Sequence, residues 1–224
     1  MISSAVLQLL AIISMIIDHV GYYFFPSVDI FRIIGRLAFP LFAFGIAEGL
    51  IHTHSRKKYL LRLAAVGVIS QFIIVLLNIA FNDNARLNIF FTLITGFISV
   101  IIIEKKPILW PFVLFLAALA EVLGFDYGAV GVGLILAFYF IQKHLEVNKP
   151  LRLIFLAASV MLAAITLATF QPWQINYYAM LAIAPILLYS GKKGKRLPAY
   201  LNYAAYPAHL LIILAIQLII SLPK

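Results

Sequence analysis

Cysteine is absent from the 224 residues. That excludes disulfides, thiolate nucleophiles and Cys-ligated metal centres outright. Charge is scarce as well: Asp, Glu, Lys and Arg make up 11% of the chain, against roughly a quarter in a soluble domain. Acids are the scarcer sign, 8 against 17 Lys and Arg. What fills the chain is apolar, at 64% hydrophobic residues and a mean hydropathy of +1.06. A globule of this length has too little interior for so much apolar surface, whereas a bilayer solvates it from outside. The expected class is an all-α, polytopic transmembrane helical bundle, read as a single unit over residues 1–224. A net charge of +9 would suit nucleic acid only if gathered on one face. Here the cations sit in short loops beside apolar runs, the pattern of membrane topology. No nucleic-acid partner and no metal are expected; the lipid bilayer is the first partner implied. The N-terminus has no Lys or Arg before its apolar stretch and no small-x-small cleavage site after it, so it reads as a retained first span.

Breaks at Pro, Gly and charge clusters give about nine spans: 5–25, 34–51, 60–80, 89–103, 109–123, 129–142, 152–170, 176–190 and 203–221. Several hold only about 15 residues and require shielding by neighbours or a thinned bilayer. Thirteen cations fall on alternate loops: Arg56, Lys57, Lys58 and Arg62; Lys105 and Lys106; Lys143, Lys149 and Arg152; Lys192, Lys193, Lys195 and Arg196. The other side has four, Arg32, Arg36, Arg86 and Lys224. The basic side belongs in the cytoplasm, which places the N-terminus inside, the C-terminus outside and the protein in a cell inner (cytoplasmic) membrane.

Polar residues inside spans then acquire a depth at ~1.5 Å per residue. His19 lies about 6 Å and Arg36 about 9 Å to the outer side of the middle, Glu48 about 9 Å to the inner side, and His209 within about 3 Å of it. Asp18 can share a level with Arg36. An unpaired charge at such depth costs on the order of 2.5–3.5 kcal/mol, so the two should pair inside the bundle. On the first helix Ser14, Asp18 and Tyr22 recur every four residues, and Met15, His19 and Tyr23 do so one step round, giving one wet face. Each residue has a purely structural alternative. Asp18 and Arg36 can simply clamp two helices, His209 can bond a backbone carbonyl, Asn88 and Asp126 can cap helix ends, and basic loops can do no more than set topology. His19 differs, because it adds an imidazole beside an acid that already answers any need for pairing.

The segments "MIIDHVGYYFFP" (15–26), "FRIIGRLAFPLFAFGIAEGLIHTHSRKKYLLRL" (31–63), "LNIFFTLITG" (87–96), "DYGAVGVGLIL" (126–136) and "YAAYPAHLLIIL" (203–214) resemble the TraX family of membrane proteins, from first span to last. That resemblance implies an acetyltransferase, since the family's namesake is linked to N-terminal acetylation of conjugative pilin. It also suggests a distant relation to membrane acyltransferases such as acyltransferase family 3 and the heparan glucosaminide enzyme, in which an early-helix histidine is catalytic and cytosolic acetyl-CoA is the acyl donor. Carried onto this sequence, His19 is the matching catalytic residue, with Asp18, Arg36 and Glu48 as its polar company. Acetyl-CoA would meet Arg56, Lys57, Lys58, Arg62, Lys192 or Lys193 on the inner side, with Tyr206 and His209 lining a tunnel for its pantetheine arm. Tyr22, Asn88, Asp126 and Tyr127, toward the outer side, are the candidates for contact with an acceptor: a peptide N-terminus, a glycan or a small molecule. Small oligomers are compatible with so compact a bundle. The rival expectations are a proton-coupled transporter using the same Asp, His, Arg and Glu, against which no internal repeat is visible, and a non-catalytic assembly factor.

Overall fold

The computed structural model describes residues 1–83, 87–170, 174–194 and 199–222, with backbone alone for 199–202. Arg86, Lys195, Arg196 and Lys224 lie outside the described residues. The described residues are helical, in the order α1 (Ser4–Phe24), α2 (Asp29–Gly35), α3 (Ala38–His52), α4 (Arg56–Phe81), α5 (Ile89–Lys105), α6 (Trp110–Val122), α7 (Gly128–His144), α8 (Lys149–Phe170), α9 (Ile183–Leu187) and α10 (Ala199–Ile220). Short 3₁₀ turns at Pro107–Leu109 and Gln174–Ala182 lead into α6 and α9. Among the described residues five stretches are long and apolar enough to cross a membrane: Ser4–Phe24, Asp29–His52, Arg56–Phe81, Lys149–Phe170 and Tyr203–Ile220. Pro107–Val122, Gly128–His144 and Gln174–Leu187 are shorter apolar helical segments.

Local chemistry sets the ends. The Ser3 hydroxyl accepts from the Val6 amide, Ser55 caps α4 at the Lys58 amide, and Asn88 caps α5 at the Phe90 amide. Asn82, at φ 52°, closes α4 in the left-handed region that Asn tolerates. Two of the expected spans differ in form. The second begins at Asp29, not at 34, and breaks at Arg36–Leu37 before resuming as α3. Pro40 has no N–H for the Arg36 carbonyl four residues back, so a regular helix cannot run through. Charge made this start look like a loop in the sequence, yet Arg32 and Arg36 face the interior. The eighth, expected over 176–190, is mostly 3₁₀ and ends at Leu187; beyond it the chain runs extended beside the N-terminus, with Ile2 N–H donating to the Leu188 carbonyl and Ser190 N–H to that of Ile2.

The core lies where α3 and α5 pack on α7. Phe39, Phe97, Phe138, Tyr139, Leu50 and Ile135 are at most 1% exposed. Gly96 and Gly131 allow that closeness, since a Cβ at Gly96 would fall 2.5 Å from Ile135 Cδ1 and one at Gly131 2.6 Å from Thr92 Cγ2. By contrast Phe72, Ile79, Leu114, Leu162 and Ile219 are exposed, as expected of surfaces meeting lipid rather than water. The loops fall at two ends. At one, Arg56 and Lys143 both pair with Glu104, joining the start of α4 to the ends of α5 and α7, while Ser4 N–H bonds the Lys192 carbonyl. At the other, Tyr22 bonds Asp83, and Leu87 exchanges backbone hydrogen bonds with Gly124 and Asp126. The basic loops therefore gather at one end of the molecule.

Candidate functional site

Two glycines bring α1 and α2 together. A Cβ at Gly21 would lie 2.2 Å from Phe31 Cβ, and one at Gly35 only 1.9 Å from Asp18 Oδ1. In the space so created Asp18 receives two guanidiniums, Arg32 Nη1 at 2.8 Å and Arg36 Nη2 at 3.2 Å. Arg36 is 9% exposed and donates its other terminal nitrogen to Asn176 Oδ1 at 3.2 Å; the Asn176 amide is in turn tied to the Leu167 carbonyl. The Arg32 guanidinium also lies 5.0 Å from the Tyr22 ring centroid, and the Tyr22 hydroxyl donates to Asp83 Oδ2 at 2.6 Å. The expected Asp18–Arg36 pair is thus a carboxylate held by two arginines. Asp126 also lies within Coulombic reach of both arginines, so the cluster sets two cations against two carboxylates beside the His19 ring.

His19 stands one residue on. Its Nδ1 lies 3.0 Å from the Met15 carbonyl and 3.2 Å from His209 Nε2, and His209 Nδ1 lies 2.9 Å from the Ala205 carbonyl. A carbonyl oxygen only accepts, so in the neutral pair each Nδ1 carries the proton. His209 Nε2 then accepts from His19 Nδ1–H, and the basic lone pair of the dyad is left on His19 Nε2. Tyr206 packs edge-on against both rings, with centroids at 5.8 Å from His19 and 5.3 Å from His209.

A cavity of about 640 Å³ opens at the end that carries the basic loops. Its mouth is framed by Ser4, His52, Thr53, Arg62, Lys193 and Tyr203, its walls by apolar residues of α1, α3, α4 and α5, and its floor by Met15 and Tyr206. Measured along α1 from Ser4 to Met15, eleven residues at ~1.5 Å each make it roughly 16 Å deep. The floor is the layer that touches the histidine pair: Met15 supplies the carbonyl that holds His19, and the Tyr206 ring separates cavity from imidazole.

The expected site residues divide accordingly. Asp18, His19, Arg36, Tyr206 and His209 form one contiguous group, and Tyr22 borders it through Arg32. Glu48 is not with them; it lines the cavity near the mouth, accepting from the Tyr189 hydroxyl at 2.7 Å and lying 3.4 Å from His52 Nε2. Of the expected inner cations, Arg62 and Lys193 line the cavity, whereas Lys57, Lys58 and Lys192 do not. Arg56 is engaged by Glu104 and donates to the Tyr139 hydroxyl. Asn88 is 3% exposed and acts as cap and clamp, donating to the Gly67 carbonyl and to Gln71. The Asp126 carbonyl accepts from Thr92, and Tyr127, at φ 64°, stacks on Phe39 with ring centroids 3.8 Å apart. Among the described residues no group of three or more His, Cys, Asp or Glu could hold a metal ion.

Sequence reasoning missed Arg32, Asn176 and the His19–His209 contact. Arg32 had a usable signal, because it precedes Arg36 by one helical turn and shares its face. Asn176 and the pairing of His209 with His19 had none, the partners being brought in from 140 and 190 residues away.

Apolar helices with buried ion pairs and an intramembrane imidazole dyad define a multi-pass membrane protein. The chain belongs to the TraX family: the family model described as "TraX protein" matches residues 3–217. It is 30% identical over 241 residues, covering 96% of each chain, to a protein of Dichelobacter nodosus named "Probable fimbrial assembly protein FimC, serogroup H1". A short stretch of 38 residues, 17% of this chain and 15% of the relative, is 55% identical to an uncharacterized protein of Rickettsia prowazekii (strain Madrid E). No solved structure matches the chain.

Proposed function

We propose that the protein is a membrane acetyltransferase that moves an acetyl group from acetyl-CoA to an acceptor at the membrane, with His19 as general base. The observation that carries this reading is the cavity, which leads from the basic end of the bundle to the residues that hold His19. Its charged mouth and apolar depth suit a molecule with an anionic head and a long thin arm, and a pantetheine arm is of comparable length to the cavity's roughly 16 Å. The thioester then arrives at the floor, where the Tyr206 ring must swing aside to bring it to His19 Nε2. His19 Nε2 takes the proton of the incoming amine or hydroxyl as that group attacks the acyl carbon. Collapse of the tetrahedral intermediate breaks the carbon–sulfur bond, and the proton passes to the departing thiolate. The guanidiniums of Arg32 and Arg36 favour the transient oxyanion, and the Met15 carbonyl and His209 together hold His19 in the tautomer that leaves Nε2 basic.

In this reading the thirteen-cation side faces the cytoplasm, nine segments cross a cell inner membrane, and the acceptor approaches from the outer side, where Tyr22, Asn88, Asp126 and Tyr127 lie. The name of the D. nodosus relative, a probable fimbrial assembly protein, supports a pilin-like peptide N-terminus as that acceptor. Purified protein incubated with acetyl-CoA and a peptide amine should release CoA, and His19→Ala should abolish release while retaining CoA binding. Absence of any acyl-CoA binding or turnover overturns the proposal. A proton-coupled transporter is the second reading, favoured by one feature: the Tyr206 ring closes the cavity just short of the imidazole pair, as an occlusion gate would. It requires solute flux that depends on His19 and not on CoA.

A further inference from the structure

The cavity mouth holds an arginine in an unusual setting. Arg62 projects from the first turns of α4 with its guanidinium 5.9 Å from the Tyr59 ring centroid and 5.5 Å from that of Tyr203 on α10. Its Nε donates to the Tyr203 hydroxyl at 2.8 Å. Tyr59 is seated there by a missing side chain, because a Cβ at Gly49 would lie 2.5 Å from Tyr59 Cε1 and 2.7 Å from its hydroxyl. Long exposed arginines ordinarily sample many rotamers; this one, which lines the cavity, is fixed by two aromatic rings and a hydrogen bond made through Nε rather than Nη. Lys193 and His52 line the same opening. Among the described residues the one carboxylate lining the cavity, Glu48, is turned to Tyr189 and His52. The N-terminus of α1, also at the mouth, contributes no anion site: the Ser4 and Ala5 amides donate to the Lys192 and Lys193 carbonyls, and the Val6 and Leu7 amides to Ser3.

We infer that Arg62, held between Tyr59 and Tyr203 and flanked by Lys193, is a clamp for a phosphate ester whose apolar arm descends the cavity. A planar guanidinium fixed at Nε presents two parallel N–H groups, the geometry that binds phosphate bidentately and that lysine cannot reproduce. Two sources carry such a group with an arm: the diphosphate of coenzyme A, which rests on the donor reading above, and the headgroup of an anionic phospholipid, which does not.

The test measures binding to the full chain purified in detergent, with CoA, pantetheine (the same arm without phosphate) and nanodiscs of phosphatidylglycerol or phosphatidylcholine as probes. Wild type should bind CoA at least about tenfold more tightly than pantetheine. Arg62→Lys should weaken CoA binding by about tenfold to a hundredfold and leave pantetheine unchanged. Tyr203→Phe, which keeps the ring and removes the Nε acceptor, should give a smaller loss of the same kind. Equal affinity of CoA and pantetheine, or CoA binding untouched by Arg62→Lys and Arg62→Ala, overturns the clamp and leaves the donor reading standing. Arg62-dependent preference for phosphatidylglycerol, with no binding of CoA, keeps the clamp, assigns its phosphate to lipid and overturns the donor reading. Binding of neither overturns both.

Discussion

Gly35 and Gly45 offer one substitution with opposite consequences. Gly35→Ala puts a methyl carbon 1.9 Å from Asp18 Oδ1 and 2.3 Å from Asp18 Cβ. Neither helix can yield by flexing a remote side-chain tip, because the atoms met run from Cβ to the carboxylate of a short residue clamped by Arg32 and Arg36. Relief requires either that α2 back away from α1 or that Asp18 leave its arginines, and both strand charge in an apolar interior. Breaking such a buried pair costs about 3–5 kcal/mol. At about 2–4 °C per kcal/mol for a chain of this size, the melting temperature should fall by about 10 °C. Gly45→Ala is the control. Its Cβ meets nothing within 4 Å, and alanine is the better helix former by about 1 kcal/mol, so stability should hold or rise slightly. Thermal unfolding of the three proteins in one detergent, followed by tryptophan fluorescence and by loss of monodisperse protein, measures both. A Gly35→Ala protein as stable as wild type would refute the steric argument, and with it the claim that α1 and α2 close on each other to hold the ion cluster.

Three further outcomes follow from the same geometry. Gly45→Phe, projecting a ring into the cavity from a position with room for it, should leave the fold intact while raising the KM for acetyl-CoA at least tenfold; unchanged kinetics would show that the donor does not use this cavity. His209→Ala removes one of the two acceptors of the His19 Nδ1 proton, leaving the Met15 carbonyl, and should lower kcat by about tenfold to a hundredfold, with CoA affinity little changed and partial recovery in His209→Gln; a loss confined to CoA affinity would return His209 to the tunnel wall. Asn176→Ala leaves a buried Arg36 nitrogen short of its acceptor and should cost about 1–3 kcal/mol, read as a lower melting temperature.

The helices and their two-ended arrangement were legible because they obey rules of short range. An apolar run bounded by Pro, Gly or charge becomes a helix wherever bilayer or neighbours solvate it; each of the nine apolar segments overlaps helical chain, while five helices among the described residues are long and apolar enough to cross a membrane. Charge misleads at one place: Arg32 reads as loop in the sequence, because a cation in a span looks wrong until its partner is known. The eighth segment's 3₁₀ winding lies beyond local pattern, since its apolar composition does not distinguish 3₁₀ from α.

The sequence by itself determined the class of protein, the succession of helices, the gathering of cations on alternate loops and the wet face of α1 that carries Asp18 and His19. Those follow from composition and from 3.6-residue periodicity, which act within a few turns of chain. Only the tertiary structure decided that Asp18 is shared by two arginines, that Glu48 stands apart at a cavity mouth, and that His209 comes from the last helix to complete an imidazole pair. Such meetings depend on crossing angles, on glycines that let backbones touch, and on which helix turns which face inward. Side-chain chemistry over long sequence separations is set by packing alone, and packing is not written in any local stretch of the chain.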